Sequence, residues 1–177
     1  MVAERRDLRR QEILAAARRL LEQAGPDGLT MRRLAGALGI RAPSLYKHFR
    51  DKAELEVELI SDGLAELGRD LGAADSPRGA LLGLAQAYRA FALRHPNLYR
   101  LMTERELPRD LLRPGTEAEA AEPLLKVVSD RDRARAAWAF AHGMVHLELA
   151  GRFPPDADLD RAWEVGVRAL AGAQRTG

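Results

Sequence analysis

Between Thr30 and Leu55 the chain reads TMRRLAGALGIRAPSLYKHFRDKAEL, two short apolar helical periods separated by a glycine. Met31, Leu34, Ala35 and Leu38 recur at i, i+3, i+4 and i+7, which places them on one face of a helix. Thr30 is positioned to cap that helix, its hydroxyl accepting from a backbone N–H that has no partner within the first turn. Gly39 follows the last periodic residue, where a left-handed residue ends a helix and turns the chain, and Ile40 is expected to plug the corner. Pro43 suits the first turn of a second helix, because its φ is already helical and its missing N–H is not needed there. Leu45 and Phe49, four apart, are expected to face inward and to leave Ser44, Lys47 and His48 outside. A short helix, a glycine turn and a second helix with a polar outer face describe a helix-turn-helix that lays its second helix in the major groove of DNA.

At these residues the chain resembles the DNA-binding domain of the tetracycline-repressor (TetR) family. The residues that carry the resemblance are Leu38-Gly39-Ile40, the run from Ala42 to Phe49 (APSLYKHF), and Lys52 with Leu55 three residues on. Arg41 departs from the Ser that family members often carry as a cap, and Pro43 stands where many have Gly. The resemblance implies an N-terminal three-helix DNA-binding domain over residues 1–55 and a helical ligand-binding and dimerisation domain over 56–177. It also implies a DNA-facing set of Thr30, Arg41, Ala42, Pro43, Ser44, Tyr46, Lys47, His48 and Lys52. With the helix entering the groove N-terminus first, Arg41, Ala42, Ser44 and Lys47 are expected at base edges, and Thr30, Tyr46, His48 and Lys52 at phosphates. The implied protein is a homodimeric regulator, a repressor of a palindromic operator on double-stranded DNA, relieved by a small-molecule effector.

Charge supports a division of labour. Residues 1–55 carry 12 Lys+Arg against 7 Asp+Glu, or +5, and residues 56–177 carry 16 against 19, or −3, within a net charge of +2. A basic head on a mildly acidic body is the distribution expected of a DNA-binding module joined to a sensing or dimerising one. An apolar fraction of 46% and a charged fraction of 31% in 177 residues indicate a globular chain able to bury a core. The absence of cysteine excludes disulfides, thiol nucleophiles and thiolate metal sites. The charged N-terminus lacks the apolar core of a signal peptide, and no apolar run nears the ~20 residues of a membrane span, so a cytoplasmic protein with no membrane partner is expected.

Taken in order, the chain is all-α, with about nine helices. A first helix is expected from Asp7 to about Gln23, stopped by Gly25-Pro26-Asp27-Gly28. Ahead of it, Arg5, Arg6, Arg9 and Arg10 are either a solvated terminus or an arm reaching phosphates beside the recognition helix. Asp51 is positioned to cap a long amphipathic helix from Lys52 to about Leu71, with Leu55, Leu59, Ile60, Leu64, Leu67 and Leu71 as its stripe. A short connection through Asp75-Ser76-Pro77 leads to helices at about Pro77–Arg94 and Asn97–Thr103. A loop over 104–116 follows, then helices at about Glu117–Val128, Arg131–Arg152 and Leu159–Ala173.

The body has its own accent. Trp138, His142 and Gly143, followed by Glu148-Leu149-Ala150-Gly151 and Phe153, resemble the Trp-His-Gly type of C-terminal domain found in some TetR regulators, which names no ligand. His142 and His146 stand at i and i+4, a spacing able to hold a metal, with Glu148 or His95 as conceivable third ligands. A histidine pair facing a partly polar cavity is the preferred reading. Tyr88, Phe91, Tyr99, Met102, Trp138, His142 and His146 are the candidate ligand-binding residues, the alternative for each aromatic being plain core. Gly143, Gly151 and Gly166 cost their helices about 1 kcal/mol each relative to Ala, which close helix packing, as in a subunit interface, would offset. Trp163, Val167, Leu170, Leu147 and Ala150 are the expected seam. No phosphate-binding glycine loop or nucleophile elbow occurs, so neither catalytic residues nor a cofactor or metal is expected. The rival readings are a helical metal- or ligand-binding enzyme built on His142 and His146, and a protein that binds DNA without sequence preference.

Overall fold

The structure is a computed structural model describing residues 2–74 and 79–172, with only the backbone at residues 2, 3 and 172. Among these residues it is entirely helical. The elements are α1 (Val2–Gly28), α2 (Met31–Ala37), α3 (Ala42–Leu45), α4 (Lys52–Gly72), α5 (Ala80–Arg94), α6 (Pro96–Thr103), α7 (Thr116–Val127), α8 (Arg131–Leu149) and α9 (Leu159–Gly172). A single 3₁₀ turn at Arg109–Leu111 interrupts the segment expected to be loop. No helix among the described residues is long and apolar enough to cross a membrane.

Packing divides the chain into two compact units, residues 1–64 with 95–117, and residues 65–94 with 118–177. The division passes through α4, so that helix belongs to both. These are units of packing, whereas the expected division after residue 55 is one of function.

In the first unit, α1 begins at Val2 rather than Asp7, and it is broken at Gly25, whose φ of 71° few other residue types adopt at low cost. Ile13, Ala17, Leu21, Leu34, Leu45, Phe49 and Leu55 are almost fully buried, which fixes α1, α2, α3 and the start of α4 around one small core. The broken end of α1 is clasped to α6. The Glu22 carboxylate accepts from the Asn97 and Leu98 N–H groups at 3.2 and 3.0 Å, satisfying two donors of the first turn of α6. The Asn97 side chain donates back to the Glu22 carbonyl at 2.8 Å. Along α4, Gly63 lets α6 lie close, since a Cβ there would come within 2.6 Å of Met102 Sδ.

In the second unit α5, α8 and α9 pack on one another. Arg89 of α5 joins the other two: it holds Glu148 of α8 through two hydrogen bonds at 2.8 and 2.7 Å and reaches Asp160 of α9 at 2.5 Å. Those bonds hold the Arg89 guanidinium above its ordinary pKa, Glu148 contributing most. The helix α8 stops at Leu149, three residues short of the expected end. Gly151 at φ 61° donates to the Glu148 carbonyl and Arg152 N to the Leu147 carbonyl, the paired bonds of a Schellman cap. The proposed start of α5 at Pro77 and end of α9 at Ala173 lie outside the described residues.

Candidate nucleic-acid interface

The two short helices are set by local chemistry that the sequence declares. Thr30 caps α2, its hydroxyl accepting from Arg33 N at 3.2 Å. Gly39, at φ 63°, closes α2 with the same Schellman pair, Gly39 N to the Gly36 carbonyl and Ile40 N to the Ala35 carbonyl. Asp51 caps α4 through its carboxylate and Glu54 N at 2.8 Å. The second helix is shorter than expected. Arg41 stands at its N-cap without a side-chain cap bond, and after one turn from Ala42 to Leu45 the chain continues as a turn through His48. An arginine has no acceptor to offer the free N–H groups, which is the physical cost of that departure from Ser.

Leu45 and Phe49 are fully buried, as their spacing predicts, and anchor this turn to the core. Arg41, Pro43, Tyr46 and Lys47 are exposed, Tyr46 by 52%, while Ala42 and Ser44 are half-buried. His48 is less outward than expected. Its Nδ1 is buried without a hydrogen-bond partner among the described residues. Burial, and then the charges of Arg6, Arg9, Arg10 and Lys47, push its pKa below the ordinary histidine value. The N-terminal arginines are carried on α1, and Arg6, Arg9 and Arg10 lie near enough to His48 to act on its charge. Lys52 is also engaged, its Nζ donating to the Pro26 carbonyl at 3.1 Å and pairing with Glu56 at 3.1 Å. Thr30 remains exposed. Two cations that the motif reading passed over stand exposed near this surface in sequence, Arg32 on α2 and Arg50 after the turn. Only the charge count over residues 1–55 pointed to them.

The residues proposed for a ligand are distributed over both units. Tyr99 and Met102 are buried on α6, and Tyr88 and Phe91 are buried on α5. Trp138, His142 and His146 form a ladder along one side of α8, with ring centroids 6.1 and 6.2 Å apart. Trp138 is 53% exposed and His146 is exposed, so this ladder stands at the surface of its unit. Burial, and then the neighbouring His146, push His142 below the ordinary histidine pKa. Glu148, the conceivable third ligand on the same helix, is taken up by Arg89.

The expected seam is corrected in part. Trp163 and Val167 are 2% and 6% exposed within the chain's own fold, Trp163 meeting Phe140 edge-on with centroids 5.6 Å apart, so they are core. Outward on α8 and α9 are Trp138, Ala139, Leu147 and Val165, with Ala150 outward at the C-cap of α8. Gly166 is explained inside the chain by Phe140, and Gly151 by the cap of α8. Gly143 has no neighbour within 4 Å of a built Cβ.

Comparison with known proteins agrees with the geometry. Residues 13–59 match the model of bacterial regulatory proteins of the tetR family, and residues 81–170 that of the tetracyclin repressor-like C-terminal domain. The HTH-type transcriptional regulator Rv0681 of Mycobacterium tuberculosis is 34% identical over 98% of this chain and 85% of its own length. Among solved structures, the regulatory protein SCO4313 superposes with a TM-score of 0.79 at 27% identity, covering 96% of this chain and 98% of that one. A single-residue variant of TetR from Acinetobacter baumannii AYE, in complex with minocycline, gives 0.65 at 28% identity over 92% and 94%. With a capped helix-turn-helix at one end and a helical body that both match along their length, the chain belongs to the TetR family of DNA-binding transcriptional regulators.

Proposed function

We propose that the protein is a homodimeric repressor that reads a palindromic operator and is released from it by a small, largely apolar effector bound in the body. The observation that carries the reading is the recognition turn, where buried Leu45 and Phe49 leave Arg41, Pro43, Tyr46 and Lys47 outward within a basic head. Residues 1–55 act as the reader and 56–177 as sensor and dimeriser. Arg41, Ala42, Ser44 and Lys47 meet base edges, and Thr30, Tyr46 and His48 meet phosphates. Lys52 reaches a phosphate only by leaving Pro26 and Glu56. One recognition helix spans too few base pairs for a full operator, so a two-fold dimer is expected, built on the outward faces of α8 and α9.

The effector reading is supported by the minocycline complex of the Acinetobacter TetR variant, a similar protein. The Trp138, His142 and Gly143 accent supports a body of the Trp-His-Gly subtype. An effector regulates only through a difference in affinity between two conformations. A coupling of about 1–3 kcal/mol would change operator affinity roughly 5–150-fold. Footprinting the protein on the DNA flanking its own gene tests the reader. A protected palindrome supports it, whereas equal binding to random DNA rejects it in favour of a packaging protein. Calorimetry of an effector with and without operator tests the switch, since linkage requires the two affinities to differ by the same factor.

A further inference from the structure

Five charged side chains, Glu54, Arg10, Glu58, Arg113 and Asp62, form a continuous ladder along the flank of α4. At its start the Arg50 N–H donates to Glu54 Oε2 at 2.7 Å. The Arg10 guanidinium, from α1, bridges Glu54 and Glu58 at 3.1 and 2.7 Å, lies 4.1 Å from the centre of the Phe49 ring, and donates to the His48 carbonyl at 2.5 Å. Glu58 also faces Arg113 Nη1 at 3.9 Å, and Arg113 holds Asp62 at 2.6 Å. The backbone around Arg113 is docked as well. Its N–H donates to the fully buried Ser61 hydroxyl at 3.3 Å, and the buried Thr116 hydroxyl donates to its carbonyl at 2.7 Å.

We infer that Arg10 is a positioning residue for DNA reading, and that Glu58, shared between Arg10 and Arg113, couples the 109–116 segment to the recognition turn. The inference rests on the DNA-reading role of that turn and needs no effector. The geometry is specific. Arg10 fixes the two residues that end the recognition turn, His48 by its carbonyl and Phe49 by its ring, and a planar guanidinium with five donors can serve a carbonyl and two carboxylates together. These groups are only partly exposed, the side chains of Arg10, Glu54 and Glu58 at 28%, 29% and 22%, so water competes with them less than on an open surface. Burial works against the Arg10 charge, but the bonds to Glu58 and Glu54 outweigh it and hold its pKa above the ordinary value. A shift of Arg113 alters the pull on Glu58, hence the seat of Arg10, hence the turn. No step requires Arg10 or Arg113 to touch DNA.

The test uses the full-length chain and the duplex site that the wild type selects from a random-sequence library. Arg10→Met should weaken that site by about tenfold, equivalent to ~1.4 kcal/mol. The slope of log affinity against log salt should stay as in wild type, because no phosphate contact is removed, where losing one would lower it by about 1. Arg10→Lys should recover only part of the loss. Arg113→Ala should weaken the site as well, and should add little once Glu58→Gln is present, since linked residues are not additive. Without DNA, Arg113→Ala should speed amide exchange at residues 48–50 while leaving the Ile13–Leu21 amides of α1 unchanged, which a general loss of stability would not do. Additive Arg113→Ala and Glu58→Gln effects, or unchanged exchange at 48–50, overturn the relay. A fall in the Arg10→Met salt slope overturns the positioning role in favour of a phosphate contact. A wild-type chain that selects no sequence overturns the DNA reading itself.

Discussion

The ring of Phe140 fills the space that a side chain at Gly166 would need, a Cβ there lying 2.1 Å from its Cζ. This is how α9 approaches α8, with Trp163 meeting the same ring edge-on. Replacing Gly166 by Ala improves helix propensity by about 1 kcal/mol, but overpacking a core costs about 1–3 kcal/mol, and a rigid ring cannot bend aside. With a Cβ so deep in the ring the cost sits at the upper end of that range, so Gly166→Ala should lower stability by about 2 kcal/mol, read as an earlier urea midpoint at unchanged slope. A variant as stable as wild type would show that α8 and α9 separate without penalty.

Two valines on α9 make opposite predictions. Val165 is 53% exposed and Val167 6%. Val165→Asp should leave a folded chain with its helical spectrum intact, yet sediment as a monomer and lose most of its operator affinity. Val167→Asp instead buries a carboxylate in the chain's own core and should unfold it or yield aggregated material. If Val165→Asp sediments as the wild type does, the dimer uses another surface.

Stability should depend on the histidines in a stated direction. His48 and His142 both have pKa values below the ordinary 6.5, burial being the first cause for each. The folded state thus favours their neutral forms, and the unfolded state binds more protons as pH falls. Their contribution is complete above about pH 6.5 and declines as pH drops from there toward their folded-state values. Chemical denaturation between pH 7.5 and 5 should show this loss, and the double variant His48→Gln, His142→Gln should flatten it. An unchanged pH profile in that variant would assign the loss to other groups.

Lys52 allows the DNA assignment to be tested against its internal contacts. If it leaves Pro26 and Glu56 for a phosphate, Lys52→Ala should weaken every sequence alike and lower the salt slope by about 1. Reduced thermal stability with an unaltered slope would mean that it serves the fold alone. Ser44→Ala should instead change base preference at one position in each half-site while keeping the slope.

Much of the reader was legible because its determinants are local. The Thr30 and Asp51 caps, the left-handed Gly39, the start of α3 near Pro43 and the inward pair Leu45 and Phe49 each depend on residues within about one turn, and each formed as read. Periodicity also gave the apolar face of α4, where Leu55, Leu59, Ile60, Leu67 and Leu71 are all buried. The length of α3 was less legible, since losing a cap shortens a helix by an amount that propensity alone does not set.

What each face meets depends on the folded chain as a whole. A helical stripe tells which residues avoid water, but not whether a neighbouring helix or a second copy covers them, so the stripe alone suggests a seam at Trp163 and Val167, which the chain's own core takes up. Long charged side chains reach partners distant in sequence: Arg10 pairs with Glu58 48 residues away and Arg89 with Glu148 59 residues away. Lys52 faces Pro26 across 26 residues, although its motif position suggested a free cation. Caps, turns and helix faces follow from the order of residues alone, because backbone hydrogen bonding and φ preference act over a few residues. The folded chain alone decided the pairings among them, because packing and Coulomb attraction depend on distance in space.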